Sequence, residues 1–345
     1  MPAFNLTMSS HEEIMTVIDD TRAFEPFLLK FFTEQHLSDT QKIIWERIPA
    51  NKRLAPFVLP GRQGVASKRT GSKTEYFEPA YMKPKDTVNF NQTLQRRVGE
   101  RIGGELTPQQ RYDAILSQMA RDYDIRWMRT MEQMAGQLFN TGKIVVSGEG
   151  YPTQTIDFER NAALGAAATT LWSAGGATPV ADLQKWIMST TRPVRDILIG
   201  MDAFAKLQAD PLYDKWVNKG IAGEATVMAR GLVDSNRFTQ ENDYLYWGAV
   251  AGAGVRLWTY MGTYTDDNGV EQPYVPANKV IGIPSGNFGV RCFAAIQDAD
   301  ASFLPLPQFF KNWVEKDPGT PYLMMQSAPL LVHTEINSTF SHQVL

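Results

Sequence analysis

TPQQRYDAILSQMARDYDIRWMRTMEQMAGQLFNTG, residues 107–142, is the stretch from which the fold is read. Thr107 offers the side-chain oxygen of a helix N-cap, Pro108 suits the first helical position, and Gln110 completes a capping box. Apolar residues then recur in steps of three and four, at Tyr112, Leu116, Met119, Tyr123, Trp127, Met131, Met134 and Leu138. Asn140-Thr141-Gly142 is a C-terminal stop signal. The spacing predicts one helix from Thr107 to Asn140, roughly 50 Å long at about 1.5 Å per residue. A strict heptad counted from Tyr112 lands on Arg126 and Thr130, which rules out a coiled-coil seam. The stripe should pack on a sheet instead.

The flanks supply that sheet. Lys143 to Ser147 and Thr153 to Phe158 read as a hairpin around Gly148-Glu149-Gly150-Tyr151-Pro152. Asn161 to Ala181 carries no charge, but its Ala, Gly and Thr content and Pro179 suit a connector, not a membrane span. Val180 to Ser189 is helical in pattern, Asp196 to Met201 a buried strand, and Ala203 to Leu207 helix again. Val255 to Tyr264 is a strand before a turn at Asp266-Asp267-Asn268-Gly269; Lys279 to Ile283 and Tyr322 to Val332 are further strands. Near the start, Ser9 and Ser10 with Glu12 and Glu13 signal a helix to about Arg22, followed by the apolar cluster Phe27, Leu28, Leu29, Phe31 and Phe32. Strands and helices mix without a βαβ rhythm, so the class is α+β.

Gly61 to Arg101 stands apart. It holds nine Lys/Arg against four Asp/Glu, +5, in a chain of net charge −3. Thr74 to Tyr81 and Thr87 to Leu94 read as strands bent at Pro84, with little apolar surface to fold on. Residues Ala66 to Asn91 are therefore expected to add little to the subunit's own core. An excursion of this length in a compact domain serves a function or leans on another surface. A protein–protein arm accounts for it best, since basic charge faces an acidic remainder and strand edges can add to a neighbour. Contacts between two different patches, repeated, close into rings or shells.

Composition narrows the alternatives. At 345 residues, 43% hydrophobic and 21% charged, the chain can bury a core without cross-links. Cys292 is the single cysteine, so no intramolecular disulfide forms and a reducing compartment is the simplest inference. The first residues, MPAFNLTMSSHEE, lack the pattern of a secretory signal. Motifs for chemistry fail one by one. Between Gly61 and Thr74, six residues part Gly64 from Gly71, and Ser72 splits Gly71 from Lys73, so no phosphate loop is formed. Gly252-Ala253-Gly254 lacks the third glycine of a dinucleotide fingerprint, which falls on Leu257. His11-Glu12 lacks a second zinc histidine at Met15, and Asp298-Ala299-Asp300 reads as a helix cap or solvated turn. Cys292 has no base in its motif and reads as packed core. No catalytic residue, cofactor or metal is expected.

The sequence resembles the lambda-type major capsid proteins of tailed phages at GSKTEYFEPAYMKPK (Gly71 to Lys85) and TLQRR (Thr93 to Arg97). IQDADA (Ile296 to Ala301), KNWVEKDP (Lys311 to Pro318) and MMQSAPLL (Met324 to Leu331) follow in the same order and FLLKFF (Phe27 to Phe32) fits near the start, whereas Glu159 to Ser285 matches weakly. The resemblance implies the capsid fold of the Hong Kong 97 type. It divides the chain into an N-terminal arm and the start of a peripheral domain (1–60) and an extended loop (61–101). A peripheral domain with spine helix and hairpin (102–160), a mostly axial domain (161–310) and a C-terminal return (311–345) follow. It implies a structural subunit of an icosahedral head enclosing double-stranded DNA, bound non-specifically. Hexamers and pentamers of itself, scaffold and portal proteins and a small decoration protein are the implied partners, and no membrane. The virion, and the host cytoplasm during assembly, are the implied locations. Interface residues are expected at Lys73, Glu75, Tyr81, Lys83, Lys85, Arg96 and Arg97. An encapsulin-like compartment shell and a basic-arm nucleic-acid-binding protein are the rival readings.

Overall fold

The computed structural model describes residues 25–47, 73–88, 106–148, 150–218, 244–250, 254–266, 268–286, 288–317 and 319–345, with isolated residues at 11, 14, 15, 54, 57, 58, 61, 63, 93 and 94. A 3-10 turn (Leu28–Phe31) precedes β1 (Glu34–Ser38), β2 (Ile43–Arg47), β3 (Lys73–Phe77) and β4 (Lys85–Thr87). The long helix α1 (Pro108–Thr141) leads into β5 (Lys143–Gly148) and β6 (Tyr151–Asp157). Next come α2 (Pro179–Ile187), β7 (Val194–Ile199), α3 (Met201–Gln208), α4 (Tyr213–Trp216), β8 (Val217–Asn218) and β9 (Tyr244–Val250). The chain ends through β10 (Arg256–Tyr260), β11 (Thr263–Thr265), β12 (Glu271–Pro273), β13 (Lys279–Pro284), β14 (Gly289–Ala294), β15 (Phe309–Val314), β16 (Pro321–Gln326), β17 (Pro329–His333) and β18 (Phe340–Gln343). Of the helix expected from Ser9 to Arg22, His11, Ile14 and Met15 are helical and the remaining positions lie outside the described residues.

The capping logic of α1 holds at both ends. Thr107 Oγ1 accepts the Gln110 N–H at 3.2 Å, and Gln110 Oε1 accepts the Thr107 N–H at 2.8 Å. Gly142 closes the helix at φ 71°, a conformation that costs a side chain but not glycine. Arg160 then satisfies two terminal carbonyls, donating from Nη1 to Phe139 O at 2.8 Å and from Nη2 to Asn140 O at 3.0 Å. Burial pushes its guanidinium down to about 10, so it stays charged at neutral pH against the negative end of the helix dipole. The buried stripe Tyr112, Leu116, Tyr123, Trp127, Met131, Met134 and Leu138 forms the main core with strands of several sheets.

The six-stranded sheet, in order β18-β13-β7-β10-β9-β8, is buried on both faces. Leu198, Trp258, Tyr260, Ile281 and Ile283 point into the core around α1. Ile197, Ile199, Leu257, Val280 and Phe340 point into a second core with α2 and α3. Two buried faces explain why Ile197-Leu198-Ile199 reads as a continuous apolar run without alternation. Residues 161–181 form turns and the first turn of α2, and no described helix is long and apolar enough to cross a membrane.

Two expected strands divide. Val255 to Tyr264 breaks at Met261-Gly262 into β10 and β11, and only β11 enters the hairpin at the Asp266 turn. Tyr322 to Val332 becomes β16 and β17, in separate sheets of order β15-β16-β4 and β1-β14-β17. The run looks unbroken because both segments are buried, but Ser327 leaves the line to bridge Met82. Periodicity gives no expectation for β1, β2, β8, β9, β14, β15 and β18, since short strands and strands whose burial does not alternate leave little period-two signal.

One interior carboxyl ties these parts together. Glu132, fully buried on α1, accepts the N–H of Phe27 (2.9 Å) and Leu28 (2.7 Å) at Oε1 and that of Leu29 (3.0 Å) at Oε2. Tyr260 on β10 donates its hydroxyl to Oε1 at 3.0 Å. Burial pushes the Glu132 carboxyl up to about 7, against the lowering pull of those donors. Its folded value exceeds its unfolded one, so folding takes up a proton. That stabilisation is complete below about pH 4.5 and lost as the pH rises through 7. Across that window it amounts to about 3 kcal/mol. Urea unfolding of Glu132→Gln should therefore show a flatter pH dependence between 4.5 and 7 than the parent. Glu132→Ala, which strands three buried N–H donors, should lose several kcal/mol at every pH.

Candidate assembly interface

The hairpin expected between Thr74–Tyr81 and Thr87–Leu94 does not form. β3 pairs antiparallel with β2, Ile43 opposite Phe77 and Ile44 opposite Tyr76, while β4 pairs with β16. The reason is chemical: Ile43, Ile44 and Trp45 give β3 apolar cross-strand partners that Lys85-Asp86-Thr87 cannot. The excursion thus begins near Ile43, some twenty residues before the shift in composition at Gly61.

Alternation gives this hairpin two different faces. Ile43 is buried, and Trp45 and Phe77 pack half-buried against the main core, with Trp45 at 5.7 Å from the Phe158 ring. On the other face Ile44 is 52% and Tyr76 65% exposed, side by side in register. Further along the excursion Leu54, Phe57 and Val58 are also exposed. From Ile43 to Phe77 there are seven Lys/Arg against two Asp/Glu, +5, leaving −8 for the rest of the chain.

The return limb behaves differently. Met82 exchanges both backbone hydrogen bonds with Ser327, at 2.8 and 3.0 Å, and the Met325 N–H donates to Pro84 O at 3.1 Å. Tyr123 donates its hydroxyl to Asp86 Oδ2 at 2.9 Å, and burial followed by Asp86 raises that phenol well above its ordinary range. Val88 is fully buried in the main core. The expectation that Ala66 to Asn91 contributes little to the subunit's own core is therefore corrected. Pro79 to Val88 is built into it, because Pro79, Tyr81, Met82 and Val88 supply apolar contacts that a segment average conceals.

Of the expected interface residues, Lys73 begins β3 opposite Arg47, and Glu75 is half-buried opposite Trp45. Lys83 is exposed. Tyr81 accepts the Gln297 N–H at its hydroxyl, 2.5 Å, and its phenol is raised by burial in spite of that bond. The Lys85 ammonium lies 4.0 Å from the Tyr322 ring centroid and 5.0 Å from that of Trp313, a cation–π arrangement within the subunit. Arg96 and Arg97 lie outside the described residues. Sequence reasoning passed over Ile44 and Tyr76. The Ile-Ile-Trp run of β2, rich in strand formers and closed by Pro49, is the signal that marks their strand.

Other candidates resolve into structure. Asp298 caps a 3-10 turn, accepting the Asp300 N–H at 3.0 Å. Burial would raise its carboxyl, but that bond, Gln326 and Lys311 together hold it below the usual range. Cys292 is buried in the main core, which pushes its thiol up to about 11 and leaves it inert. The Gly61–Thr74 stretch lies almost wholly outside the described residues.

Comparison with known proteins gives a consistent result. A model of the family described as phage major capsid protein E matches residues 12–344. The major capsid protein of Escherichia phage lambda is 25% identical over 351 aligned residues, which cover 98% of this chain and 100% of that protein. The corresponding protein of Escherichia phage N15 is 26% identical, covering 93% of this chain and 94% of its own. A crystal structure described as a prophage capsid protein of E. coli CFT073 superposes with a TM-score of 0.72 at 20% identity, over 98% of this chain and 99% of that one. A chain of the bacteriophage PhiM1 mature capsid superposes at 0.50 and 10% identity, over 99% and 91%.

The two limbs of the excursion should respond differently to mutation. Val88→Ala should lower the unfolding free energy of the isolated subunit by about 2 kcal/mol. Ile44→Ser with Tyr76→Ser, on the exposed face, should change it by no more than about 0.5 kcal/mol. Chemical denaturation of both variants checks the contrast.

Proposed function

The chain belongs to the phage major capsid protein E family, and on that premise we propose how one subunit is joined to the next. The protein is structural: a tailed-phage major capsid subunit of the Hong Kong 97 type fold that assembles with copies of itself into the icosahedral head shell of the virion. The phage family takes the place of the encapsulin and nucleic-acid-binding readings.

The extended loop is the Ile43–Phe77 excursion, and its outward face covers a neighbouring copy within hexamers and pentamers. The observation that carries this is the two-faced burial of the β2–β3 hairpin, Ile43 inside its own subunit and Ile44 with Tyr76 turned to water. Lys73, Glu75, Lys83, Arg96 and Arg97 are assigned to the same interface, where their charges steer the contact, while Tyr81 and Lys85 brace the return limb. The +5 excursion and the −8 remainder favour contact between unlike patches. Residues around α1, mainly 102–160 with part of 311–345, form the peripheral domain, and residues 161–310, which supply all but the β18 edge of the double-cored sheet, form most of the axial domain. Assembly takes place in the host cytoplasm with scaffold and portal proteins, and a decoration protein is a further partner. The subunit carries out no catalysis and holds no cofactor.

Two experiments test the reading. Ile44→Asp with Tyr76→Asp should give soluble, cooperatively folding subunits that fail to close, seen as absent particles by electron microscopy and slow sedimentation. Particles of normal shape and yield would show that the interface lies elsewhere. Contact with packaged double-stranded DNA is diffuse, since the net charge is −3 and the sequence carries no motif for reading bases. Isolated subunits should bind duplex DNA weakly, without sequence preference, and release it as salt rises. Tight retention of one sequence at physiological salt would contradict this.

A further inference from the structure

The turn from Asp298 to Leu304 combines backbone strain with exposed apolar side chains. Ser302 and Phe303 are consecutive non-glycine residues at φ 52° and 56°, in the left-handed region that L side chains enter at a cost. The turn is nevertheless firmly held. Ser302 N–H donates to Ala299 O, Phe303 N–H to Asp298 O, and Leu304 N–H to Ala301 O, at 2.9, 3.3 and 3.0 Å. Lys311 pairs with Asp298 at 3.2 Å and also with Asp300. Beneath the turn, Ala301, Ile296 and Phe309 form a small buried cluster. Phe303 is left 62% and Leu304 55% exposed, beside the exposed Asp300 carboxylate.

Among the described residues, no contact explains a phenylalanine there. Glycine would take φ 56° without strain, and a polar side chain would suit water better. Strain retained at an exposed apolar residue is a mark of use. Two features of the chain fit each other. The Ile43–Phe77 excursion shows water an apolar face, Ile44 with Tyr76, on a segment of charge +5. The turn shows an apolar knob beside two carboxylates, both of which pair with Lys311.

We propose that the Asp298–Leu304 turn receives the Ile43–Phe77 hairpin of a second copy of this chain. The inference rests on the hairpin reading above and adds where the hairpin lands. Phe303 and Leu304 meet the Ile44–Tyr76 face, and the segment's charge of +5 favours its approach to the exposed Asp300. Because the two patches differ, each subunit both gives and receives, and the contact propagates around a ring.

Cross-linking tests it, since the native Cys292 is buried and an introduced thiol is the reactive one. Particles assembled from mixed Tyr76→Cys and Phe303→Cys subunits, treated with a short bis-maleimide, should yield a covalent dimer well above that of either variant alone. Tyr76→Cys mixed with Met188→Cys, at an 85% exposed position, should not. Normal particles that give no Tyr76–Phe303 dimer, or a dimer through Met188 instead, overturn the proposal. In a second arm, Phe303→Gly should leave the subunit's thermal midpoint unchanged or higher while cutting the yield of closed particles at least tenfold. An unchanged yield overturns the proposal, and so does a lowered midpoint, which would place Phe303 among the subunit's own packing residues. The hairpin reading fails by a separate result, closure of the Ile44→Asp, Tyr76→Asp subunit, so the two failures are distinguishable.

Discussion

A buried carboxylate must find donors, and in this subunit the search for them organises the fold. Glu132 sits on the inward face of the long helix, where water cannot reach it. Its oxygens are met by three successive N–H groups of residues 27–29 and by the Tyr260 hydroxyl from the six-stranded sheet. One side chain therefore joins the segment that follows the arm, the long helix and the central sheet. Around it Phe27 stacks on Tyr244 at 4.4 Å and also approaches the Trp258 and Tyr260 rings. The polar contact selects the register, and the aromatic contacts supply the burial.

The six-stranded sheet depends on a second such device. Arg256 grips Asp196 in a bidentate pair at 2.6 and 2.7 Å, and Trp258 Nε1 donates to the same carboxylate at 2.8 Å. These bonds pin the parallel register of β10 on β7, where Arg256 lies opposite Asp196. In a sheet apolar on both faces, a shift of register costs little in hydrophobic burial, so specificity falls to such polar pairs. Gly282 plays the steric counterpart, lying directly under the Phe340 ring, where any Cβ would collide.

With both cores held in this way, the subunit can extend a hairpin that only half belongs to itself. One face of β2–β3 completes the main core and the other remains apolar and open. Such an arrangement is a liability in a monomer. In a shell it becomes useful, because weak contacts repeated around a ring multiply through effective concentration. The return limb, bonded to Ser327 and Tyr123, sets the direction in which the hairpin leaves.

Read alone, the sequence determined the long helix with both caps, the apolar cluster at Phe27–Phe32, the β5–β6 hairpin, the buried strand at Asp196 and the existence of a basic excursion. Each is written in neighbouring residues, as a 3.6-residue period, a capping pair, a turn signal or a charge count. The tertiary structure alone decided that β3 pairs with β2 and β4 with β16, and that Tyr322 to Val332 serves two sheets. It also decided that a glutamate in a helix interior is fully buried, and that Phe303 is both strained and exposed. Strand partnership is a choice among distant segments of similar intrinsic preference, settled by which combination buries the most apolar surface while leaving fewest polar groups unmatched. No local pattern records that comparison.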